Sequence, residues 1–265
     1  MKVNTEKKYE NYLLEVKDNV AIFTINREKK LNAVSESCFK ELYEFLCEAD
    51  DDPDIRVIIF TGAGRKSFIS GADISGFSSS GTPGALKTRW ADRAANKLEM
   101  CAKPVIAAIN GYAFGGGFEL ALACDIRIVS ENARFGLPEP KLGLIPGLGG
   151  TQRLARVIGM GRTKEVVLAG REITGAEAVD IGLAMKCVPL DDLMDEAMAV
   201  AKKLMTRAPL ALAVAKKLIH HSMSTNIDAG LYLEAMGFSL LMVTEDTKEG
   251  TAAFREKRKP NFTGK

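Results

Sequence analysis

Residues 111–125 read GYAFGGGFELALACD, and this stretch is the clearest guide to the fold. Three consecutive glycines precede an apolar run that predicts a buried helix over residues 115–123. The glycines let the first helical turn approach another backbone or a ligand closely. The first N–H groups of a helix have no intrahelical partners, so they suit an oxyanion or a phosphate. Tight packing of the helix explains the glycines equally well.

Glu119, the single charge inside this run, is the first candidate for acid–base chemistry. A carboxylate in so apolar a helix is expected to be buried, and burial raises the pKa of a carboxyl group. A raised pKa suits a general acid or base near neutral pH, and perturbed carboxylates tend to mark functional sites. The alternatives are a solvent-facing position on the helix or a structural pair with an arginine.

The sequence around this stretch alternates β-like and helical patterns as far as residue 150. The predicted strands are 12–16, 20–25, 57–61, 104–109 and 126–129, and the predicted helices are 35–49, 88–100 and 115–123. From residue 151 only helices are predicted, over 151–158, 163–168, 193–205, 209–220, 227–243 and 246–256. Strands that alternate with helices predict an α/β fold with a mainly parallel sheet.

Two predicted loops carry further candidates. In loop 62–84, the small residues of SGADI (70–74) would let a backbone N–H approach a ligand, although an ordinary loop with an N-capping Asp73 fits the same sequence. In loop 136–150, prolines on both sides restrict the backbone of Glu139. That restriction would hold a second carboxylate in place, and a surface turn is the alternative.

Composition and motifs exclude several classes of protein. Lys and Arg number 36 against 34 Asp and Glu, so the net charge of +2 provides no strong field for nucleic acid or a membrane surface. The only histidines, His220 and His221, are adjacent and would point in different directions on a helix, which disfavours a His-based triad or metal site. No phosphate-binding G-x-G-x-x-G or G-x-x-x-x-G-K-[ST] motif is present.

The location expected from the sequence is the cytoplasm. The five cysteines are scattered and form no C-x-x-C pair, which is typical of reduced thiols. The N-terminal residues include early acidic side chains and no apolar core, unlike a targeting segment. No apolar stretch reaches the roughly 18 residues that a transmembrane helix needs.

Taken together, these segments resemble the crotonase superfamily, and most closely its enoyl-CoA hydratases. The similar segments are KLNAV (30–34), FISGADI (68–74), GYAFGGGFELALACD (111–125), FGLPEPKLGLIPGLGGTQRL (135–154) and FREKRKPNF (254–262). The resemblance covers nearly the whole chain. It implies a crotonase-type spiral of ββα units over residues 1–200, followed by an α-helical trimerisation region over residues 201–265.

The same resemblance implies a chemistry for the candidate residues. The N–H groups of Ala72 and Gly116 would form an oxyanion hole around a thioester oxygen. Glu119 and Glu139 would flank the C2=C3 bond of a 2-trans-enoyl-CoA, with Glu119 taking a proton from water and Glu139 giving one to C2. The reaction would need no metal or redox cofactor, because coenzyme A is part of the substrate.

The resemblance further implies contacts to coenzyme A and an assembly. The expected contacts are Lys30, Ser70, Gly71, Asp73, Ile74, Gly115, Phe238 and Lys257, the last two often reaching the site of a neighbouring subunit. The expected assembly is a hexamer built as a dimer of trimers.

Phe118 and Pro140 depart from the family pattern. A double-bond isomerase or another acyl-CoA lyase is the alternative enzyme, and an RNA-binding homologue is the alternative of another class.

Overall fold

The structure, a computed structural model, describes residues 2–73 and 89–265, so Ile74 lies outside the described residues. Its strands are β1 (Tyr12–Lys17), β2 (Val20–Ile25), β3 (Val57–Gly62), β4 (Ser67–Ile69), β5 (Val105–Ile109), β6 (Tyr112–Phe114), β7 (Ile126–Ser130), β8 (Arg134–Gly136), β9 (Ile173–Thr174) and β10 (Lys186–Val188). Its helices are α1 (Glu36–Asp51), α2 (Trp90–Met100), α3 (Gly116–Ala123), α4 (Gly150–Ile158), α5 (Met160–Leu168), α6 (Gly175–Asp180), α7 (Leu193–Met205), α8 (Pro209–His221), α9 (Ile227–Met242) and α10 (Glu245–Glu256).

The strands form two sheets. The larger sheet has the order β1-β2-β3-β5-β7-β10, and the smaller has the order β4-β6-β8-β9. Only the β1–β2 pair of the larger sheet is antiparallel; its turn residues Asp18 and Asn19 have φ angles of 51° and 62°, as a tight hairpin turn requires. The remaining pairs of that sheet are parallel, which confirms the predicted mainly parallel arrangement.

From β3 to β8, consecutive strands alternate between the two sheets. β3, β5 and β7 lie in the larger sheet, and each is followed by a short strand of the smaller one, β4, β6 and β8. This alternation agrees with the expected ββα repeat. The short strands were not predicted, and β4 lies inside the segment 62–84 that was expected to be a loop. Strands of three residues are too short to show the two-residue periodicity from which a strand is inferred.

The hydrophobic core lies on both faces of the larger sheet. Every residue of β3 and β5 is buried, as expected for strands that are covered on both sides. One core cluster includes the stacked rings of Phe23 and Phe45, 4.0 Å apart, where α1 packs on β2. A second cluster lies under α7 on the other face. Helix α3 contacts the first cluster, and this buries the predicted helix at its expected place.

The C-terminal helices α8, α9 and α10 are mostly exposed in the single chain. Lys216 attaches α8 to the rest of the fold: its Nζ lies 2.8 Å from Asp125 Oδ2 and donates to the carbonyl of Leu98. Of the residues in α9, only Gly237 is buried. The predicted division at residue 200 stays a prediction.

Among the described residues, no single helix is long and apolar enough to cross a membrane; α9 and α10 reach that length only as a pair bent by 76°.

Candidate active site

The ends of three short parallel strands place the candidate segments side by side. β6 pairs in parallel with β4 on one side and with β8 on the other. Each strand therefore ends at the same edge of the smaller sheet. The residues that follow are Ser70 to Ala72 after β4, Gly115 and Gly116 after β6, and Leu137 to Glu139 after β8. The unpredicted strands are thus the elements that bring the predicted site together.

Two backbone N–H groups meet at this edge. Val34 N donates to Gly71 O and Asp73 N donates to Val34 O, so the intervening Ala72 N–H faces away from Val34. A Cβ built on Gly116 would lie 4.0 Å from Ala72 N, which shows how close the two segments are. Gly116 opens α3, where N–H groups lack helical partners. Neither N–H donates to a protein acceptor within residues 2–73 and 89–265.

The glycines meet two structural requirements here, an unusual backbone conformation and close packing. Gly115 has φ 51° and ψ −128°, a backbone conformation that other residues rarely adopt. A Cβ on Gly117 would lie 2.2 Å from Ile69 O, so Gly117 allows α3 to pack directly on β4. Close packing therefore presents the N–H of Gly116 beside that of Ala72.

Glu119 is buried, with only 2% of its surface exposed, which excludes a solvent-facing position. Its Oε1 accepts hydrogen bonds of 2.7 Å from both Leu148 N and Gly150 N. Burial raises the pKa of Glu119, against the opposing effects of the two N–H donors and of the positive charges of Arg153 and Arg89. Burial therefore disfavours the charged form of Glu119, while the two N–H donors and the two arginines stabilise it.

Glu139 begins a short 3₁₀ helix, Glu139–Leu142, and is half-buried. Its Oε2 is buried and has no hydrogen-bond partner among the described residues. Burial raises the pKa of Glu139, and the negative charge of Glu119 raises it further. A Cβ on Gly115 would lie 3.1 Å from Glu139 Oε1, so the glycine leaves room for this carboxyl group. A simple surface turn does not describe this position.

The two carboxyl groups differ in what surrounds them. Glu119 accepts two N–H bonds, which favour its charged form. Glu139 has a buried oxygen without a partner among the described residues, which favours a protonated carboxyl. Two titratable groups whose surroundings separate them in this way are suited to act as base and acid, respectively. The N–H groups of Ala72 and Gly116, which have no acceptor among the described residues, are of the kind that stabilises a developing oxyanion.

The structure brings most of the expected coenzyme A contacts to this edge. Lys30 Nζ lies 3.3 Å from Asp73 Oδ2, and Arg27 lies 3.4 Å from the same oxygen. Ser70 N donates to Leu31 O, which joins the Lys30 loop to the segment that contains Gly71. The Lys30 side chain is 60% exposed.

Phe238 and Lys257 are not brought to the site by the single chain. Phe238 is 66% exposed on α9, and Lys257 is exposed immediately after α10. Their expected contribution to the site of a neighbouring subunit stays a prediction.

The two departures from the family pattern have different surroundings. The ring of Phe118 is fully buried and lies 5.1 Å from that of Phe135, so its size serves the packing of α3 against β8. Pro140 is exposed in the first turn of the 3₁₀ helix, where its missing N–H costs no hydrogen bond. Neither residue removes a group from the site.

The sequence did not identify the loop that holds Glu119. Leu148 and Gly150 contribute backbone N–H groups, and Arg153 and Arg89 contribute charge. The available signal was Gly149-Gly150 at the start of a predicted helix, the same pattern as Gly115 to Gly117. The residues that the structure describes contain no group of three or more His, Cys, Asp or Glu placed to hold a metal ion.

The two-sheet fold, with the buried Glu119 and the half-buried Glu139, is an arrangement suited to an acid–base enzyme. The family model for enoyl-CoA hydratase/isomerase matches residues 15–265. The short-chain-enoyl-CoA hydratase of Clostridium acetobutylicum is 44% identical over 94% of this chain and 96% of its own. The crotonyl-CoA hydratase of Syntrophomonas wolfei is 41% identical over 97% and 99%.

Solved structures agree with these matches. A crystal structure of enoyl-CoA hydratase from Bacillus anthracis superposes with a TM-score of 0.91 at 37% identity, covering 97% of this chain and all of the other. The chain belongs to the enoyl-CoA hydratase/isomerase family and has the crotonase fold.

Proposed function

We propose that this protein is an enoyl-CoA hydratase that adds water reversibly to the C2=C3 bond of a 2-trans-enoyl-CoA. The observation that carries the proposal is the contrast between Glu119, held by two N–H donors, and Glu139, whose buried Oε2 has no partner among the described residues. Hydration needs one base and one acid beside an oxyanion hole. The names of the relatives from Clostridium acetobutylicum and Syntrophomonas wolfei support the same reaction.

In the proposed reaction, a water molecule is held between the two carboxyl groups. Glu119 takes a proton from this water as its oxygen bonds to C3, and the electrons of the double bond move toward the thioester oxygen. The N–H groups of Ala72 and Gly116 stabilise the resulting enolate. Glu139 then gives its proton to C2 from the same side, so addition is syn. Exchange with solvent returns a proton to Glu139 and removes one from Glu119.

A double-bond isomerase is the main alternative, because the family includes both activities. Incubation of crotonyl-CoA in D₂O separates the two reactions. A hydratase produces 3-hydroxybutyryl-CoA that carries one deuterium at C2, visible by NMR and mass spectrometry. An isomerase shifts the double bond of a 3-enoyl-CoA without adding oxygen. Failure of 2-enoyl-CoA thioesters to gain water, together with isomerisation of a 3-enoyl-CoA, would contradict the proposal.

The activity is expected to have a bell-shaped dependence on pH. The reaction requires Glu119 ionised and Glu139 protonated. Activity therefore falls on the acid side as Glu119 gains a proton and on the alkaline side as Glu139 loses one. Because the pKa of each group is raised, both limbs are expected at higher pH than for ordinary carboxyl groups. Because the two carboxyl groups interact, the apparent pKa values of the two limbs describe the pair and not either residue alone. In Glu139→Gln the residual activity is expected to keep the acid limb and lose the alkaline one; an unchanged alkaline limb would assign it to another group.

Substrate binding is proposed to use coenzyme A as part of the substrate and no separate cofactor. Lys30 and Asp73, 3.3 Å apart, are the proposed polar contacts beside Ser70, Gly71 and Gly115. Phe238 and Lys257 are proposed to complete the site of a neighbouring subunit.

A cytoplasmic location stays a prediction. The chain has 36 Lys and Arg residues against 34 Asp and Glu residues, and this near balance gives no support to an RNA-binding role.

A hexamer, formed as a dimer of trimers, is the proposed assembly. The exposed apolar side chains of the C-terminal helices support it, since a single chain leaves them uncovered. They include Ile219, Ile227, Leu231, Tyr232, Met236, Phe238, Leu240 and Phe254. Light scattering at micromolar concentration is expected to give six times the mass of the chain. A monomer under those conditions would contradict the proposed assembly.

A further inference from the structure

The loop that holds Glu119 has two faces. Its N–H groups at Leu148 and Gly150 donate to Glu119 Oε1. Its carbonyl groups face two arginines: Arg153 Nη1 donates to Leu148 O, and Arg89 Nη2 donates to Gly147 O. The loop, residues 147–150, is thus held on one face by the carboxylate and on the other by guanidinium groups.

Arg153 is the better fixed of the two arginines. Its Nε and Nη2 donate to Glu99 Oε1 and Oε2 at 2.7 and 2.6 Å, a bidentate pair in which both side chains are only 16% exposed. Such planar, two-point pairs fix geometry as well as charge. Arg89 pairs instead with Asp92 on the surface, where 48% of its side chain is exposed.

The two glycines of the loop separate the arginine from the carboxylate. Gly149 has φ 96°, and a Cβ there would lie 2.0 Å from Arg153 Nη1. A Cβ on Gly150 would lie 3.0 Å from Glu119 Oε1. One glycine therefore makes room for Arg153 on the carbonyl side, and the next makes room for Glu119 on the N–H side.

We propose that Arg153, fixed by Glu99, is a positioning residue that holds loop 147–150 in the conformation whose N–H groups orient Glu119 for proton transfer. The inference rests on the proposed hydration reaction for its kinetic consequence, whereas its structural consequence is independent of that reaction. Arg153 itself acts through the Leu148 carbonyl and through its charge.

Loss of Arg153 also changes the electrostatics of Glu119. Among the residues that the structure describes, the charged groups that act on Glu119 are Arg153, Arg89 and the second carboxyl, Glu139. Glu99 pairs with Arg153, and His220 Nδ1 of α8 lies 3.8 Å from Glu99 Oε1. The positive charge of Arg153 lowers the pKa of Glu119, so its removal raises that pKa. The acid limb of the pH profile is then expected to move to higher pH.

The test compares Arg153→Gln with Arg153→Lys and with the matched control Arg156→Gln. Arg156 lies one turn further along α4 and is exposed; within residues 2–73 and 89–265 its side chain donates only to Gln152 O of the same helix. Arg153→Gln is expected to lower kcat on crotonyl-CoA by about 10²-fold, because small displacements of a catalytic group cost about that much. KM is expected to change less than kcat, and the acid limb is expected to shift. Arg156→Gln is expected to retain wild-type kinetics.

Arg153→Lys keeps the charge but cannot form the bidentate pair, so it is expected to restore the acid limb and leave kcat low. A crystal structure of Arg153→Gln provides the readout that does not depend on turnover. The expected result is that the Leu148 and Gly150 N–H groups no longer both contact Glu119. An unchanged loop in that variant would overturn the proposal, even if kcat falls. Inactivity of the wild type on enoyl-CoA would instead overturn the proposed function alone.

Discussion

Glu119→Gln is expected to lower kcat for the hydration of crotonyl-CoA by about 10³-fold, within the range found for lost acid–base groups. Glutamine has the same shape, and its amide oxygen can still accept the hydrogen bonds from Leu148 and Gly150. It cannot take a proton from water near neutral pH. The loss should therefore appear in kcat, with a small change in KM, because substrate binding does not require the negative charge.

The matched control for this variant is Glu131→Gln, which makes the same chemical change at an exposed position. Thermal unfolding should show that both variants remain folded, since neither creates a cavity. Glu131→Gln should retain wild-type kcat. A Glu119→Gln enzyme within tenfold of wild type would show that another group is the base, and the assignment of the two carboxyl roles would then be wrong.

Gly116→Pro is expected to lower kcat by about 10²–10³-fold, the usual cost of losing one oxyanion-hole donor. The substitution removes the N–H that is proposed to bind the thioester oxygen. Gly116 is the first residue of α3, where proline is well tolerated, and a Cβ there meets nothing closer than 4.0 Å. The helix and Glu119 should therefore keep their positions while the donor is lost.

Met160→Pro provides the position-matched control for this backbone change. Met160 is the first residue of α5, is exposed and, like Gly116, follows a glycine with positive φ. Similar unfolding temperatures for the two variants, with loss of kcat only in Gly116→Pro, would assign the effect to the N–H group. Equal activity of Gly116→Pro and wild type would exclude Gly116 from the oxyanion hole.

The long elements of the fold were predictable because their patterns extend over several turns or pleats. The parallel strands β3 and β5 are continuous apolar runs, and α1 has apolar residues at helical spacing. The short strands β4, β6 and β8 were missed for the opposite reason. Three residues carry no periodicity, and their pairing depends on contacts between segments that are distant in the chain.

The candidate site was predictable to a different degree at each residue. Glu119 was evident as the single charge of an apolar helix, and the structure buries it. Glu139 was ambiguous, because two neighbouring prolines also fit a surface turn; its burial depends on the packing of β8 beside β6. The proposed role of Arg153 gave no sequence signal, since it depends on a pair with Glu99, 54 residues away. Partners brought together by tertiary structure are not visible in local patterns.

The most direct measurement is the loss of absorbance of the enoyl-thioester band after crotonyl-CoA is added to the wild type, Glu119→Gln and Glu139→Gln. The two-carboxylate account predicts rapid loss with the wild type and a collapse of the rate in both variants, with all three proteins folded. A wild type that leaves crotonyl-CoA and longer enoyl-CoA thioesters unchanged would contradict it, as would full activity in either variant.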